Sequence, residues 1–248
     1  MSVLDVLAIL AAGLLAGAIN TIVGSGSLLT FPVLLAVGYS PVVANISNTV
    51  GIWFGSVSGV VGYRRELAGQ KGRIAGLVVP SAAGGLVGAL LLLALPETVF
   101  HLVVPALVLF AVALVVVQAR LSQLLGDHRD HAYSSLALKI GVFLTAIYGG
   151  YFGAAQGVIL VGLMGVLIND ELQRINALKN VVAAIVNGVA ALAFVLLAHV
   201  AWEAVVLLAI SSVVGAQLGA AVGRRLPANI LRGVIVVAGL AAVVKLLA

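Results

Sequence analysis

A short polar break interrupts the first apolar run of the chain within residues 17–32, Gly17-Ala18-Ile19-Asn20-Thr21-Ile22-Val23-Gly24-Ser25-Gly26-Ser27-Leu28-Leu29-Thr30-Phe31-Pro32. The break separates an apolar segment at residues 3–23 from a shorter one at residues 27–38. A helix of 12 residues extends about 18 Å, whereas the hydrocarbon core of a bilayer is about 30 Å thick. The shorter segment is therefore predicted to be a half-helix or a re-entrant helix.

The composition indicates that the bilayer is the solvent of this chain. Of its 248 residues, 63% are hydrophobic and 8% are charged, whereas about 25% are charged in soluble domains. Apolar stretches long enough to span a bilayer recur from end to end. The net charge of +5 comes from scattered basic residues without a basic-aromatic face, so nucleic acid is not an expected partner. The first basic residue is Arg64, so the first segment is expected to be retained and not cleaved as a signal peptide.

The chain is predicted to contain two copies of one helical repeat. Ten helical segments are predicted, at residues 3–23, 27–38, 42–63, 74–95, 98–117, 136–152, 157–168, 175–198, 202–222 and 230–247. A constant shift of 131 residues places Gly26 on Gly157 and Asn45 on Asn176, without a gap. We therefore predict a first membrane repeat at residues 1–118, a connecting cytoplasmic loop at 119–135 and a second membrane repeat at 136–248.

The basic residues indicate that the two repeats have opposite orientations. The loop at residues 64–73 contains four basic residues, whereas its mate at 195–204 contains none. The turn around Pro96 contains none, whereas the turn around Pro227 contains three. Since basic loops stay on the cytoplasmic side, we predict an all-α integral membrane protein with two inverted repeats of about five helical segments each, and with its N-terminus outside. Five crossings per repeat, or three crossings plus a re-entrant pair, both satisfy this topology.

Interrupted segments at matching positions of inverted halves are the sequence feature that best indicates the binding site of a transporter. The half-helices that start near the two breaks would direct free main-chain N–H groups and positive dipole ends at them, which suits an anion. The alternative is that the glycines only allow close helix packing. The candidate substrate-binding residues in the breaks are Asn20, Thr21, Gly24, Ser25, Gly26, Ser27, Tyr151, Gly153, Gln156 and Gly157.

A second set of candidate binding residues opens the third segment of each half. Residues at helix positions i, i+3 and i+4 share one face. This spacing is found at Asn45, Asn48 and Thr49 and again at Asn176, Lys179 and Asn180. Lys179 is interpreted either as a functional cation within the membrane or as a side chain that extends to the membrane surface. The remaining small residues at regular spacing, Gly84, Gly88, Gly215 and Gly219, are interpreted as helix-contact residues.

The chain resembles the TauE/SafE family of membrane permeases, also called sulfite exporters. The resemblance covers essentially the whole chain. It rests on residues 17–32, on Ala44-Asn45-Ile46-Ser47-Asn48-Thr49-Val50-Gly51, on Arg64-Arg65-Glu66, on Gly84-Gly85-Leu86-Val87-Gly88 and on Ile175-Asn176-Ala177-Leu178-Lys179-Asn180. It implies a transporter of small anions such as sulfite, sulfoacetate or thiosulfate. Family members often carry G-x-G-G-G runs in both halves, whereas the second run here is the diluted Gly153-Ala154-Ala155-Gln156-Gly157, which leaves the substrate open.

The predicted function is a secondary transporter that exports a small anion, such as sulfite or an organosulfonate, across the cytoplasmic membrane. Expected partners are the anionic solute and membrane lipid, while a coupling ion (proton or sodium) and a second copy in a homodimer stay open. No cofactor, metal site or enzyme activity is predicted, because the chain has no cysteine, no H-E-x-x-H motif and hardly any intramembrane carboxylate. The alternatives are an anion channel and a non-transporting subunit of a membrane complex.

Overall fold

The helical segments of the sequence fold into a bundle of helices. The computed structural model describes residues 1–125 and 135–222, together with Val237 and Leu240. The helices in this part of the chain are α1 (Val3–Ile22), α2 (Ser27–Val37), α3 (Pro41–Gly62), α4 (Lys71–Ala94), α5 (Glu97–Leu125), α6 (Ser135–Tyr151), α7 (Gln156–Leu167), α8 (Leu172–Leu197) and α9 (Trp202–Val222). They correspond to nine of the ten predicted segments. The turn around Pro227 and the tenth segment, apart from Val237 and Leu240, lie outside the described residues.

One helix end differs from its prediction by more than three residues. Helix α5 continues to Leu125, although its segment was expected to end at residue 117 and to be followed by a polar loop from residue 120. The sequence places leucine at residues 121, 124 and 125, and this spacing continues an apolar helical stripe past the first polar residues. Most of the predicted connecting loop lies outside the described residues.

Five of the described helices are long and apolar enough to cross a bilayer, namely α1, α4, α5, α8 and α9. Helix α3 has a comparable length of 22 residues, but its first half carries the polar residues described above. Helices α2 and α7 have only 11 and 12 residues and are too short to cross as straight helices. The predicted all-helical, multi-pass membrane fold is confirmed.

Helix α2 folds back along α1. A Cβ atom on Gly26, just before α2, would lie 2.4 Å from the carbonyl oxygen of Ala16 in α1. At the other end of α2, the hydroxyl of Tyr39 donates a hydrogen bond to Sδ of Met1 at 3.6 Å. Helices α1 and α2 therefore form a hairpin, and we call residues 23–26, between the two helices, the first tip.

Helix α7 folds back along α6 in the same way. A Cβ atom on Gly141, in the first half of α6, would lie 2.7 Å from methyl carbons of Leu163 in α7. Close to the turn, a Cβ atom on Gly149 would lie 2.4 Å from Cδ of Gln156. Helices α6 and α7 form a second hairpin, and we call residues 152–155 the second tip.

Glycines allow each hairpin to pack closely against a long helix of the other half. A Cβ atom on Gly215 of α9 would lie 1.9 Å from the carbonyl oxygen of Leu14 in α1, and one on Gly88 of α4 would lie 2.1 Å from that of Ile147 in α6. These are contacts with main-chain atoms, so only glycine fits. The predicted helix-contact role is confirmed at Gly84, Gly88, Gly215 and Gly219.

The loops gather at two ends of the bundle. At one end, Arg73 of α4 and Arg174 of α8 both form ion pairs with Asp170, so the α3–α4 and α7–α8 loops lie together. We call this the basic end, since it contains the predicted cytoplasmic loop with four basic residues. At the opposite end, the main-chain N–H of Ala201, in the α8–α9 loop, donates to Oγ of Ser47, near the start of α3, at 2.9 Å.

Candidate functional site

The two hairpin tips are in direct main-chain contact inside the bundle. The N–H of Gly157 donates a hydrogen bond to the carbonyl oxygen of Gly24 at 3.0 Å. A Cβ atom on either glycine would lie 2.4 Å from Cα of the other, and both residues are buried. A side chain at either position would push the tips apart, so their contact depends on two glycines that the sequence places in different halves.

The chain reverses at each tip through a residue with a left-handed backbone. The φ angle is +88° at Gly24 and +58° at Ala155, two positions that are mates under the 131-residue shift. Glycine adopts this conformation at little cost, whereas it costs other residues about 1–2 kcal/mol. The second tip therefore stores backbone strain that the first tip avoids. Strain of this kind persists where the surrounding structure imposes it, and it is common at binding sites.

Three side chains of α8 converge on the last carbonyl groups of α1. The Nζ atom of Lys179 donates to the carbonyl oxygen of Asn20 at 3.0 Å and to that of Thr21 at 3.3 Å. The amides of Asn176 and Asn180 also donate to the carbonyl oxygen of Thr21, each at 3.3 Å. The last carbonyls of a helix lack partners within the helix and carry the negative end of its dipole, so these donors cap α1.

Lys179 is fully buried, which excludes the alternative that its side chain extends to the membrane surface. Neither ion pair found among the described residues includes it. Its stem lies against the second hairpin, because a Cβ atom on Gly157 would lie 2.9 Å from Cδ of Lys179. The cation-forming side chain thus lies beside the contact between the two tips.

The carbonyl oxygen of Thr21 faces more donors than it can accept. A carbonyl oxygen has two lone pairs, yet three N–H groups lie 3.3 Å from it, a distance beyond the usual range for an N–H donor. At least one of these donors is therefore available to another acceptor. The cap of α1 therefore contains more hydrogen-bond donors than the carbonyl oxygen of Thr21 can pair.

The first half has a corresponding cap, at the end of α6, that uses one amide and no lysine. The amide of Asn45 donates to the carbonyl oxygen of Tyr151, the last residue of α6, at 2.9 Å. Asn48, the repeat mate of Lys179, instead accepts a hydrogen bond from the hydroxyl of Thr30 in α2. The hydroxyl of Thr49 donates to the carbonyl oxygen of Asn45 at 3.0 Å. Asn48 and Thr49 thus have partners away from the tips.

Buried polar groups without a hydrogen-bond partner concentrate around the two tips. The side-chain atoms of this kind there are Ser25 Oγ, Gln156 Nε2 and Asn176 Oδ1. Within the described chain, the main-chain N–H groups at the tips that form no hydrogen bond are those of Ser25, Gly26, Ala154 and Ala155. Buried polar groups in folded proteins are nearly always paired. Groups of this kind are expected to bind a solute or ordered water.

The other predicted residues take more ordinary positions. The amide of Asn20 donates to Oγ of Ser56 at 3.3 Å, and the hydroxyl of Thr21 donates within α1, so both residues contribute to the site through their carbonyl groups. The ring of Tyr151 packs against Phe100, with centroids 5.9 Å apart. Gly153 has φ of +75° and helps to form the second turn, while Ser27 is half-buried at the start of α2.

Ala154 and Ala155 are not among the individually predicted residues, although the sequence analysis expects main-chain N–H groups of the second break to face the site. Their contribution is made by main-chain N–H groups, which any residue provides. The 131-residue shift contained the necessary signal, because it pairs Ala155 with Gly24. A left-handed turn at one position therefore predicts the same turn at the other.

Discontinuous helices that meet inside a bundle are typical of membrane transporters. The family model described as "Sulfite exporter TauE/SafE" matches residues 9–246. The chain therefore belongs to the TauE/SafE family, as the sequence motifs predict. This is a family of multi-pass membrane transporters and not of enzymes, in agreement with the predicted class.

Curated relatives carry names of the same kind. The chain is 29% identical over 248 residues to "Probable membrane transporter protein ORF9" of Sinorhizobium sp, covering 96% of the chain and 90% of the relative. It is 28% identical over 238 residues to "Probable membrane transporter protein YfcA" of Escherichia coli K12, covering 94% and 86%. A "Probable membrane transporter protein" of Haemophilus influenzae is 28% identical over 221 residues, covering 88% and 85%. No solved structure matches the chain.

Proposed function

We propose that the chain exports a small anion, such as sulfite or an organosulfonate, through a site where the two hairpin tips meet. The observation that carries this proposal is the excess of unpaired buried donors there. They include four main-chain N–H groups and the amide nitrogen of Gln156, whereas the unpaired buried acceptor beside them is Asn176 Oδ1. Converging N–H groups of this kind form anion-binding sites. The direction, export, follows the description of the family.

The helix dipoles support an anion at the same place. Helices α2 and α7 begin at the tips and direct their positive ends toward them. Helices α1 and α6 end there, but their negative ends are capped, α1 by Lys179 and two amides and α6 by Asn45. The uncapped ends are therefore the positive ones, and Lys179 adds a cationic group beside them. The proposed ligands are these N–H groups together with Ser25, Gln156, Asn176, Lys179 and Asn180.

The proposed topology is two inverted repeats in the cytoplasmic membrane, with the N-terminus outside and the basic end inside. The basic α3–α4 loop lies at one end of the bundle, whereas its repeat mate, the α8–α9 loop, contacts Ser47 at the other end. This placement supports an inverted relation between the halves. Since basic loops stay cytoplasmic, the end that holds Met1 and Tyr39 would face outward. Alternating access would come from rocking one repeat against the other around the tip contact. A homodimer remains a prediction.

Flux through purified protein in proteoliposomes tests the proposal. We expect saturable uptake and counterflow of labelled sulfite and sulfoacetate. Asn176→Leu and Lys179→Met should each weaken binding about tenfold or more, since a buried hydrogen bond to a charged group is worth about 1.5–3 kcal/mol. Lys139→Met is the matched control, because Lys139 is an exposed lysine on α6.

The outcomes of this experiment separate the alternatives. Wild-type flux in both site variants, with normal folding, would contradict the proposed site. Flux that does not saturate and shows no counterflow would indicate a channel. Purified protein that transports none of the tested anions would indicate a subunit that needs other partners.

A further inference from the structure

We propose that Lys179 is the proton-coupling residue of this transporter, taking up one proton when the site binds an anion and releasing it when the anion leaves. The inference rests on the proposed anion site and adds to it the identity of the coupling ion, a proton, and its carrier. It is carried by three features of the described chain. These are the hydrogen-bond partners of Lys179, its burial, and the absence of an opposing charge around it.

The partners of Lys179 match a neutral amine. A neutral primary amine has two N–H groups, and the folded chain offers Nζ two acceptors, the carbonyl oxygens of Asn20 and Thr21, at 3.0 and 3.3 Å. An ammonium group has three N–H groups. Its third N–H has no acceptor among the described residues, and its second shares Thr21 with two amides. The protein's own acceptors therefore satisfy the neutral form and leave the charged form one acceptor short.

No opposite charge faces Lys179 from the described helices that pack around it. Helices α3 and α7 contain no ionisable side chain. Helix α1 contains only Asp5, at the opposite end of the bundle, and Arg174 on α8 itself is paired with Asp170. The other ionisable groups on neighbouring helices are Lys71 and Arg73 of α4 and Lys139, Tyr148 and Tyr151 of α6. A fully buried ammonium without a counter-charge is costly.

An anion at the tips would supply both the third hydrogen-bond acceptor and the negative charge that the ammonium form of Lys179 lacks. The anion would accept a hydrogen bond from the third N–H of the ammonium. It would also neutralise the charge of the ammonium beside the contact between Gly24 and Gly157. Proton binding and anion binding must then strengthen each other by the same factor. In this binding step, the neutral amine of Lys179 takes up one proton and pairs as an ammonium with one anion. A monoanion would cross without net charge, and export would require an outward anion gradient that exceeds the inward proton gradient.

Calorimetry on the purified wild-type protein measures this coupling directly. Sulfoacetate is the probe, because both of its acidic groups stay ionised at neutral pH and it carries no proton itself. Binding is measured in two buffers that differ in ionisation enthalpy, at neutral and mildly alkaline pH. We expect uptake of about one proton per site at alkaline pH, by the linkage of proton and anion binding. Lys139→Met should show the same uptake.

Lys179→Arg separates charge from proton release, since a guanidinium stays protonated at all accessible pH values. We expect this variant to bind sulfoacetate without proton uptake, whatever counterflow it shows in proteoliposomes. It should lose the accumulation that an inward proton gradient drives in the wild type. Unchanged proton uptake in this variant would overturn the assignment to Lys179.

The wild-type measurement keeps the inference falsifiable if the variant fails to fold. Binding of sulfoacetate to the wild type without proton exchange would overturn the proton coupling and leave the anion site standing. If the wild type binds neither sulfite nor sulfoacetate nor any other organosulfonate, the proposed function and this inference are overturned together.

Discussion

The main-chain N–H of Gly157 lies 3.0 Å from the carbonyl oxygen of Gly24, and this hydrogen bond joins hairpins from the two halves of the chain. The same glycine lies against the stem of Lys179, whose Nζ caps the helix that leads to Gly24. The tip contact, the buried lysine and the end of α1 therefore form one connected unit. A movement of one hairpin against the other must change all three.

Gly157→Ala should separate the tips. The new Cβ would lie 2.4 Å from Cα of Gly24 and 2.9 Å from Cδ of Lys179, so the backbone has to move. Overpacking of this kind costs about 1–3 kcal/mol. We expect a lower melting temperature in detergent and loss of saturable anion flux in proteoliposomes.

Gly72→Ala is the matched control for this change. Gly72 lies in the first turn of α4, is exposed, and has no atom within 4 Å of its Cβ position. Alanine is a better helix former than glycine by about 0.5–1 kcal/mol, so the control should be as stable as the wild type or more stable. Equal behaviour of the two variants would show that the tips tolerate a side chain and would refute the close contact.

The sequence predicts the helices well because length and hydropathy act locally. The two short segments were assigned from the break at residues 20–27 and its mate, and both appear as short helices in hairpins. The end of α5 lies later than predicted, because leucines among the polar residues at its end extend the apolar helical spacing. Of the two topologies left open, the fold-back of α2 and α7 favours three crossings plus a re-entrant pair. No local pattern distinguishes a half-helix that continues across the bilayer from one that returns.

The candidate site was predicted less completely than the fold. The shared face of Asn176, Lys179 and Asn180 follows from helical spacing, but their acceptor, the carbonyl oxygen of Thr21, lies more than 150 residues away in sequence. Asn48 occupies the same repeat position as Lys179 and yet pairs with Thr30. Long-range partners of this kind depend on how the hairpins are placed, which spacing within one helix does not determine.

Ala155→Gly should stabilise the protein. The left-handed backbone at Ala155, with φ of +58°, costs alanine about 1–2 kcal/mol, while glycine adds about 0.4–1 kcal/mol of entropy to the unfolded chain. The difference predicts a gain of about 0.5–1 kcal/mol, visible as a higher melting temperature. Ala154→Gly is the matched control, since its neighbour Ala154 has no positive φ and should lose stability. A loss of similar size in both variants would argue against the strained turn.

The ion pairs at the basic end should make stability depend on pH. Burial raises the pKa of the Asp170 carboxyl, but hydrogen bonds from the side chain of Arg73 and the N–H of Glu171, with the charge of Arg174, more than offset it, so the net pKa is lowered. A lowered folded-state pKa stabilises the protein above the unfolded-state pKa, and this contribution is lost as the pH falls through the folded-state value. Asp170→Asn should therefore cost about 1 kcal/mol at neutral pH.

The same variant should match the wild type more closely as the pH falls below the ordinary range of an aspartate pKa, because the wild type then loses the contribution of its charge as the carboxyl becomes protonated. Thermal melts of both proteins in detergent over this range provide the measurement. Glu171→Gln is the control, because the carboxylate of Glu171 takes part in neither ion pair of the described chain. A difference between Asp170→Asn and the wild type that stays constant down to acidic pH would show that charge is not the cause.

The proposed inverted relation between the repeats makes a prediction about two single residues. Ala68, in the α3–α4 loop, and His199, in the α8–α9 loop, are both exposed and are mates under the 131-residue shift. The chain contains no cysteine, so Ala68→Cys and His199→Cys each introduce a single thiol. If the basic end is cytoplasmic, a membrane-impermeant maleimide should label His199→Cys in intact cells and Ala68→Cys only after permeabilisation. The unsubstituted chain should stay unlabelled throughout. Labelling of both thiols from one side would mean that the two halves face the same way, and rocking of inverted repeats would no longer explain transport.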